Sequence, residues 1–310
     1  MVLVAPPVAQ RQGGGDAAER VLRVVDGRAP AGGVLELLRA DGLARVPSWG
    51  GLAGGLRAWL EDAAYSAVRA RGEKSPPLVL GARQLLGPAA VVYEAARSAG
   101  RRDGAGAPEP EPPRDDVVLA RLVRALFRQI VTVGTLDDPL QDACDALRVD
   151  GAGSAAMLRR IESLTPAARH ALRETLGRHA SRLLDLVPRP QPDWRPRTAE
   201  RVAIPLAGGR VVLHGVFDLL VDVPEGAGRA RGALALSTDD AWGRTRRSLH
   251  YLALLETLRS GAPPFRLAQV DSSSGRFGAE DVREEHLRVM TAHACAWLAG
   301  ASWGTAVGSA

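Results

Sequence analysis

The sequence predicts an α/β protein with a mixed central sheet flanked by helices in its C-terminal half, preceded by a mostly helical N-terminal region. Three observations carry that prediction. Apolar residues recur at helical spacing up to about residue 190, and the period turns alternating beyond Trp194. From Thr165 onward the segments read helix, three strands, helix, strand, helix, the pattern of one sheet with helices packed on it. At 310 residues the chain is long enough to bury a large core without disulfide or metal staples.

Residues 1–20 read as a disordered leader. Met1 to Ala9 is apolar, but it contains Pro6 and Pro7, lacks a positively charged start and runs into Gly13-Gly14-Gly15 rather than a cleavage site. Residues 21–100 form a helical region in which Leu56, Trp59, Leu60, Ala63 and Ala67 mark a buried stripe. Within it Ser75-Pro76-Pro77-Leu78-Val79-Leu80 suits a short extended piece, followed by a helix from Gln84 to Ala99. Residues 101–115 hold Gly, Pro and charge with no apolar side chain larger than alanine, the composition of a linker or surface loop. A second helical region, 116–190, carries Val118, Leu122, Leu126 and Ile130 on one face. It continues with Leu172, Leu176, Leu183 and Leu184 in a helix opened by Thr165-Pro166 as N-cap and first helical residue, and ended by Pro188 and Pro190.

The α/β core spans 194–300 and a flexible tail 301–310. Val202 to Leu206 reads as a strand and Ala207-Gly208-Gly209 as a tight hairpin loop. Val211, Leu213, Phe217, Leu219 and Val221 read as one face of a longer strand, with His214, Val216, Asp218 and Leu220 on the other. A Gly-rich turn from Pro224 to Gly232 leads to a strand from Ala233 to Ser237 and a helix from Ala241 to Leu258. Phe265 to Val270 is a fourth strand, and Glu280 to Leu298 a final helix with Val282, Leu287, Met290 and Trp297.

The charge balance of +5 is made almost entirely of arginine, because Lys74 is the only lysine. A GC-rich coding bias explains that asymmetry more readily than a nucleic-acid partner does. Cys144 and Cys295 lie far apart, with neither the paired spacing of a zinc site nor the four thiolates of an iron–sulfur cluster, and read as core residues of a reducing cytoplasm. No apolar run approaches the roughly 20 residues of a membrane span, so a cytoplasmic protein with no membrane partner is expected.

The joints between strands and helices carry the chemistry. Gly215-Val216-Phe217-Asp218 ends the second strand of the hairpin, Glu200 opens the first, and Ala235-Leu236-Ser237-Thr238-Asp239 closes the third. Arg247-Ser248-Leu249-His250-Tyr251 lies on the following helix. These residues and this order resemble the PD-(D/E)XK nuclease superfamily, and within it the RecB-type exonuclease domains, over roughly Thr165 to Leu298.

The resemblance implies a restriction-endonuclease-like core, with Asp218 as the first metal-binding carboxylate and Glu200 as the upstream acid. Ala235 and Ser237 stand where the family has its second acid and its lysine, while Thr238 and Tyr251 are retained. Phosphodiester hydrolysis uses a divalent ion held by carboxylates and shared with substrate oxygens. A missing acid and a missing cation therefore imply a degenerate site, the cation alone accounting for about 10²-fold or more in rate.

Rescue by relocated ligands would draw on Asp218, Asp239, Asp240 and His179, with Mg²⁺ or Mn²⁺; otherwise no cofactor is expected. Asp239 and Asp240 also suit a helix N-terminus, and Asp218 a strand-end acid bonded to backbone. His170 and His179 read ordinarily as surface histidines, and His214 as a strand residue packed against the first helix. Trp242, Arg244, Arg246 and Arg247 form a candidate nucleic-acid groove, through stacking and phosphate contacts, although arginines at a helix start oppose its dipole. Three functions follow as expectations: an inactive nuclease-fold protein that binds nucleic acid or supports a DNA-processing partner, an active metal-dependent DNA nuclease, and a protein-interaction scaffold without nucleic acid.

Overall fold

A computed structural model of the chain describes residues 33–38, 49, 51–72, 75–86, 115–151, 154–187, 189–225, 228–239 and 242–301. The expected leader, residues 101–114 of the expected linker, residues 302–310, the helix beyond Leu86, Lys74 and Asp240 lie outside the described residues.

The protein is α/β, with a mixed six-stranded sheet between two layers of helices. The strands are β1 (Leu78–Leu80), β2 (Arg195–Leu206), β3 (Val211–Glu225), β4 (Gly228–Ser237), β5 (Arg266–Asp271) and β6 (Phe277–Asp281). β2 runs antiparallel to β3 along nearly all of it. On the other edge of β3, β1 pairs parallel with Val211–Leu213 and β4 pairs antiparallel with Leu219–Glu225. β5 is parallel to β4, and β6 antiparallel to β5.

One helical layer contains α1 (Gly33–Glu36), α4 (Asp115–Val133), α5 (Pro139–Val149), α6 (Ala155–Glu162) and α7 (Pro166–Leu186). The other contains α2 (Leu52–Arg71), α3 (Ala82–Leu86), α8 (Trp242–Ser260) and α9 (Glu284–Ala301). The 21–100 region thus supplies β1 and α2 to the same sheet and core as 194–300.

Local chemistry accounts for several boundaries. Thr165 accepts a hydrogen bond from Ala168 N and Pro166 opens α7, as the sequence predicts. Asp138 caps α5 through the N–H groups of Leu140 and Gln141. Val118, Leu122, Leu126 and Ile130 are buried along α4, but so are Val123, Phe127 and Val131, because α4 is enclosed by neighbouring helices and the sheet. The stripes of α2 and α7 are rotated slightly from the expected ones. Ala64 is buried while Trp59 is 43% exposed, and Leu184 is exposed beside buried Leu183.

Three expectations are corrected. The Gly-rich segment Pro224–Gly232 is mostly strand, since β3 and β4 pair out to Glu225↔Gly228; shared backbone hydrogen bonds and an Arg231–Asp222 ion pair outweigh weak intrinsic preference. β6 was not expected, and Glu280 belongs to it rather than to the final helix, which begins at Glu284. Its glycine, alanine and acids give almost no strand signal, and pairing with β5 decides the matter. Finally, β3 does not keep one face. Val211, Leu213 and Phe217 join the core beneath α2 and α8, whereas Leu219, Val221 and Val223 join the core beneath α4 and α7. The alternation reverses just beyond Asp218, which lies opposite Ala199, whose φ of 52° is left-handed.

Candidate functional site

Asp218 lies where β3 and β4 part. Their ladder ends at Leu219↔Leu234, leaving Leu236 without a rung to β3. Asp218 takes up that vacancy: its Oδ2 accepts the Leu236 N–H at 2.9 Å, and its Oδ1 accepts Arg124 Nε at 3.0 Å. Arg124, from α4, also donates through Nη2 to the Leu236 carbonyl at 3.2 Å. The carboxylate and guanidinium are 13% and 18% exposed. Both oxygens of the first expected metal ligand therefore have protein donors, one of them a cation. Asp218 keeps the phase of the first half of β3, opposite Phe217, so its side chain faces α4, and the alternation reverses beyond it at Leu219.

Gly215 has a packing reason to be glycine. A Cβ there would lie 2.5 Å from Leu252 Cδ2 and 2.9 Å from Leu255 Cδ1 of α8. Tyr251 is buried, and its hydroxyl donates to the Leu80 carbonyl at 2.7 Å and the His214 carbonyl at 3.3 Å, stitching β1 to β3 where their pairing stops. Ala235 is buried in the core beneath α8, and Ser237 is buried with its hydroxyl on the Asp239 carbonyl at 2.5 Å and carboxylate at 3.2 Å.

Glu200 faces a different group of side chains. It pairs with Arg197 at 3.4 Å and with Arg259, near the end of α8, at 2.7 Å. Arg259 also meets Glu256 at 2.6 Å; Glu256 meets Arg231; Arg231 meets Asp222 at 2.7 Å; and Asp222 meets Arg197 at 3.5 Å. These six side chains close into a ring of alternating charge, with Glu256 fully buried. Burial opposes the charge on Arg231, but Asp222 and Glu256 outweigh it and raise its pKa.

His179 is not a surface histidine, because it is only 5% exposed. Its Nδ1 lies 2.9 Å from Ser272 Oγ, whose hydroxyl donates to the Ser237 carbonyl at 3.0 Å. That direction makes Nδ1 the donor to Ser272 and fixes the tautomer. Burial, with Arg182 nearby, lowers the His179 pKa. His170 is exposed beside Glu174. Asp239 accepts from Arg244 Nη2 at 3.3 Å. Asp218, Asp239 and His179 do not gather their ligand atoms within 4.8 Å of one another; among the described residues His250, Glu280 and His286 do.

The expected nucleic-acid groove is largely occupied by its own neighbours. Trp242 packs over β6 so closely that a Cβ on Gly278 would lie 3.2 Å from its ring, and Arg276 sits 5.0 Å from the ring centroid. Arg244 turns to Asp239, and Arg246 grips Glu280 through two bonds, Nε to Oε1 at 2.9 Å and Nη2 to Oε2 at 2.6 Å. Arg247 is exposed.

The sequence reading missed the group around Glu280, which combines α8, β6 and the start of α9. His250 Nε2 lies 2.7 Å from Glu280 Oε1, and the His250 and His286 rings stack at 4.2 Å with 10° between planes. The Arg283 N–H donates to His286 Nδ1 at 3.4 Å. Burial pushes the Glu280 carboxyl up, but hydrogen bonds from His250 and Arg246 prevail and hold it at about 2. Burial and the adjacent His250 lower the His286 pKa. No spacing motif links residues 250, 280 and 286, and the unrecognised β6 hid the side on which Glu280 stands. Among the described residues no helix is long and apolar enough to cross a membrane. No family model and no curated protein matches this chain.

Proposed function

We propose that the chain is a PD-(D/E)XK protein of RecB type, with a restriction-endonuclease-like core, that no longer cuts nucleic acid and instead supports a partner that processes it. The observation that carries this reading is the occupation of Asp218. A metal ion would have to displace Arg124 and leave the Leu236 N–H without its acceptor, in a site already short of the acid and lysine replaced by Ala235 and Ser237. The mixed sheet, Gly215 to Asp218, Thr238 and Tyr251 support descent from such a core.

A role through a protein partner is favoured over direct nucleic-acid binding because Trp242, Arg244 and Arg246 are engaged within the chain. Incubation with labelled single- and double-stranded DNA in Mg²⁺ or Mn²⁺ tests the reading. No cleavage is expected, and cleavage lost in a folded Asp218→Asn variant would overturn it. In low salt, DNA binding that weakens with salt and with Arg247→Ala would restore the nucleic-acid role.

A further inference from the structure

We propose that His250, Glu280 and His286 form a binding site for one divalent transition-metal ion of the zinc class. The three side chains come from α8, β6 and the start of α9, and one ligand atom from each lies within 4.8 Å of the others. Two imidazoles and one carboxylate are the donor set of open zinc sites, leaving a fourth position for water. Such a site has zinc–ligand bonds of about 2.0–2.2 Å and donors roughly 3.3 Å apart. Rotamer adjustments of half-buried side chains close the remaining distance.

The closest pair is already aligned. His250 Nε2 and Glu280 Oε1 lie 2.7 Å apart, and a metal ion replaces the proton they share. The His250 and His286 rings stack with 10° between their planes, so binding turns one imidazole until both ring planes meet at the ion. Arg246 Nη2 stays on Glu280 Oε2 at 2.6 Å, orienting the carboxylate from outside as hydrogen-bonded partners of metal ligands do. Ligation costs the Arg246 Nε bond to Oε1 at 2.9 Å and the 3.4 Å bond from the Arg283 N–H to His286. The nearby cations of Arg246 and Arg283 oppose the ion, which favours metals that bind imidazole tightly over Mg²⁺. The site is distinct from Asp218, whose side chain meets α4 in the opposite helical layer. It does not depend on the proposed function. Bound metal would fasten α8, β6 and α9 together and stabilise the fold by mass action.

The test uses the full chain stripped with chelator. Equilibrium dialysis with Zn²⁺ should find one tightly held ion per chain. His250→Ala and His286→Ala should each weaken binding about 100-fold, as the loss of metal-site contacts does, while His170→Ala should leave it unchanged. Zn²⁺ should raise the Tm of the unsubstituted chain but not that of His286→Ala, and Mg²⁺ at the same concentration should raise neither. Far-UV circular dichroism in chelator confirms that each variant is folded, and His286→Gln replaces His286→Ala if the latter is not. No stoichiometric Zn²⁺ binding, or binding that survives a folded His250→Ala/His286→Ala double variant, would overturn the proposal.

Discussion

Asp218 stands in the Gly-x-x-Asp setting that the sequence marks, and its carboxylate meets Arg124 and the Leu236 N–H. Its setting after Gly215 is visible in the sequence, as is the plain alternative of an acid bonded to backbone. Arg124 lies 94 positions away, so no local pattern announces it. Asp218→Ala removes one member of a mostly buried pair and leaves the Leu236 N–H unsatisfied. A loss of about 3 kcal/mol in urea unfolding is expected. Asp218→Asn keeps an acceptor and should cost less; equal losses for both would refute the account. Ala199 is held at a φ of 52° opposite Asp218, a conformation that glycine adopts without a Cβ clash. Ala199→Gly should therefore stabilise the chain by about 0.5–1 kcal/mol despite the greater freedom of glycine when unfolded. A destabilised variant would show that the left-handed residue carries no strain.

Elements are joined chiefly by packing, but the ion ring fastens β2, β3, β4 and the end of α8 at one place. Glu256 is fully buried between Arg231 and Arg259. Glu256→Ala leaves two guanidinium groups facing each other and should cost about 3–5 kcal/mol. Removing Glu256 and Arg231 together should cost less than the sum of the single losses, and strict additivity would dissolve the ring as an energetic unit. Helices α4 and α7 were legible from their periodicity because one side of each is apolar enough to mark the core. The five-residue β6 was not, because Phe277 is its only large apolar residue and its strand state is imposed by β5. Its absence from the sequence reading moved Glu280 onto a helix and concealed its position beside His250.

Across the whole molecule, acid should unfold the metal-free protein in two stages. His179 and His286 have folded pKa values below the ordinary 6.5, so the unfolded chain takes up their protons first and stability falls as pH drops through that value. Glu280 is held at about 2 against an ordinary 4.5. Its contribution is complete above about pH 4.5 and is lost as pH falls toward 2. Urea midpoints measured in chelator at pH 8, 6, 5 and 4 should decline throughout and more steeply below about 4.5. The Glu280→Gln variant should lack the added steepness, and a midpoint rising toward pH 5 would contradict the assignment of the histidines.

By itself, the sequence determined the α/β class, most helices and the hairpin around Ala207–Gly209. Each of these follows from hydrophobic period, capping residues or turn residues. Tertiary structure alone decided that β1 and α2 complete the core of the C-terminal half, that the alternation of β3 reverses just beyond Asp218, and which charges meet. The physical reason is range: periodicity and capping act over a few residues. Arg124 and Asp218, or His250 and Glu280, interact only after the sheet has brought distant segments together. Charge pairing is also degenerate in an arginine-rich chain, where many partners would satisfy any one carboxylate until packing selects among them.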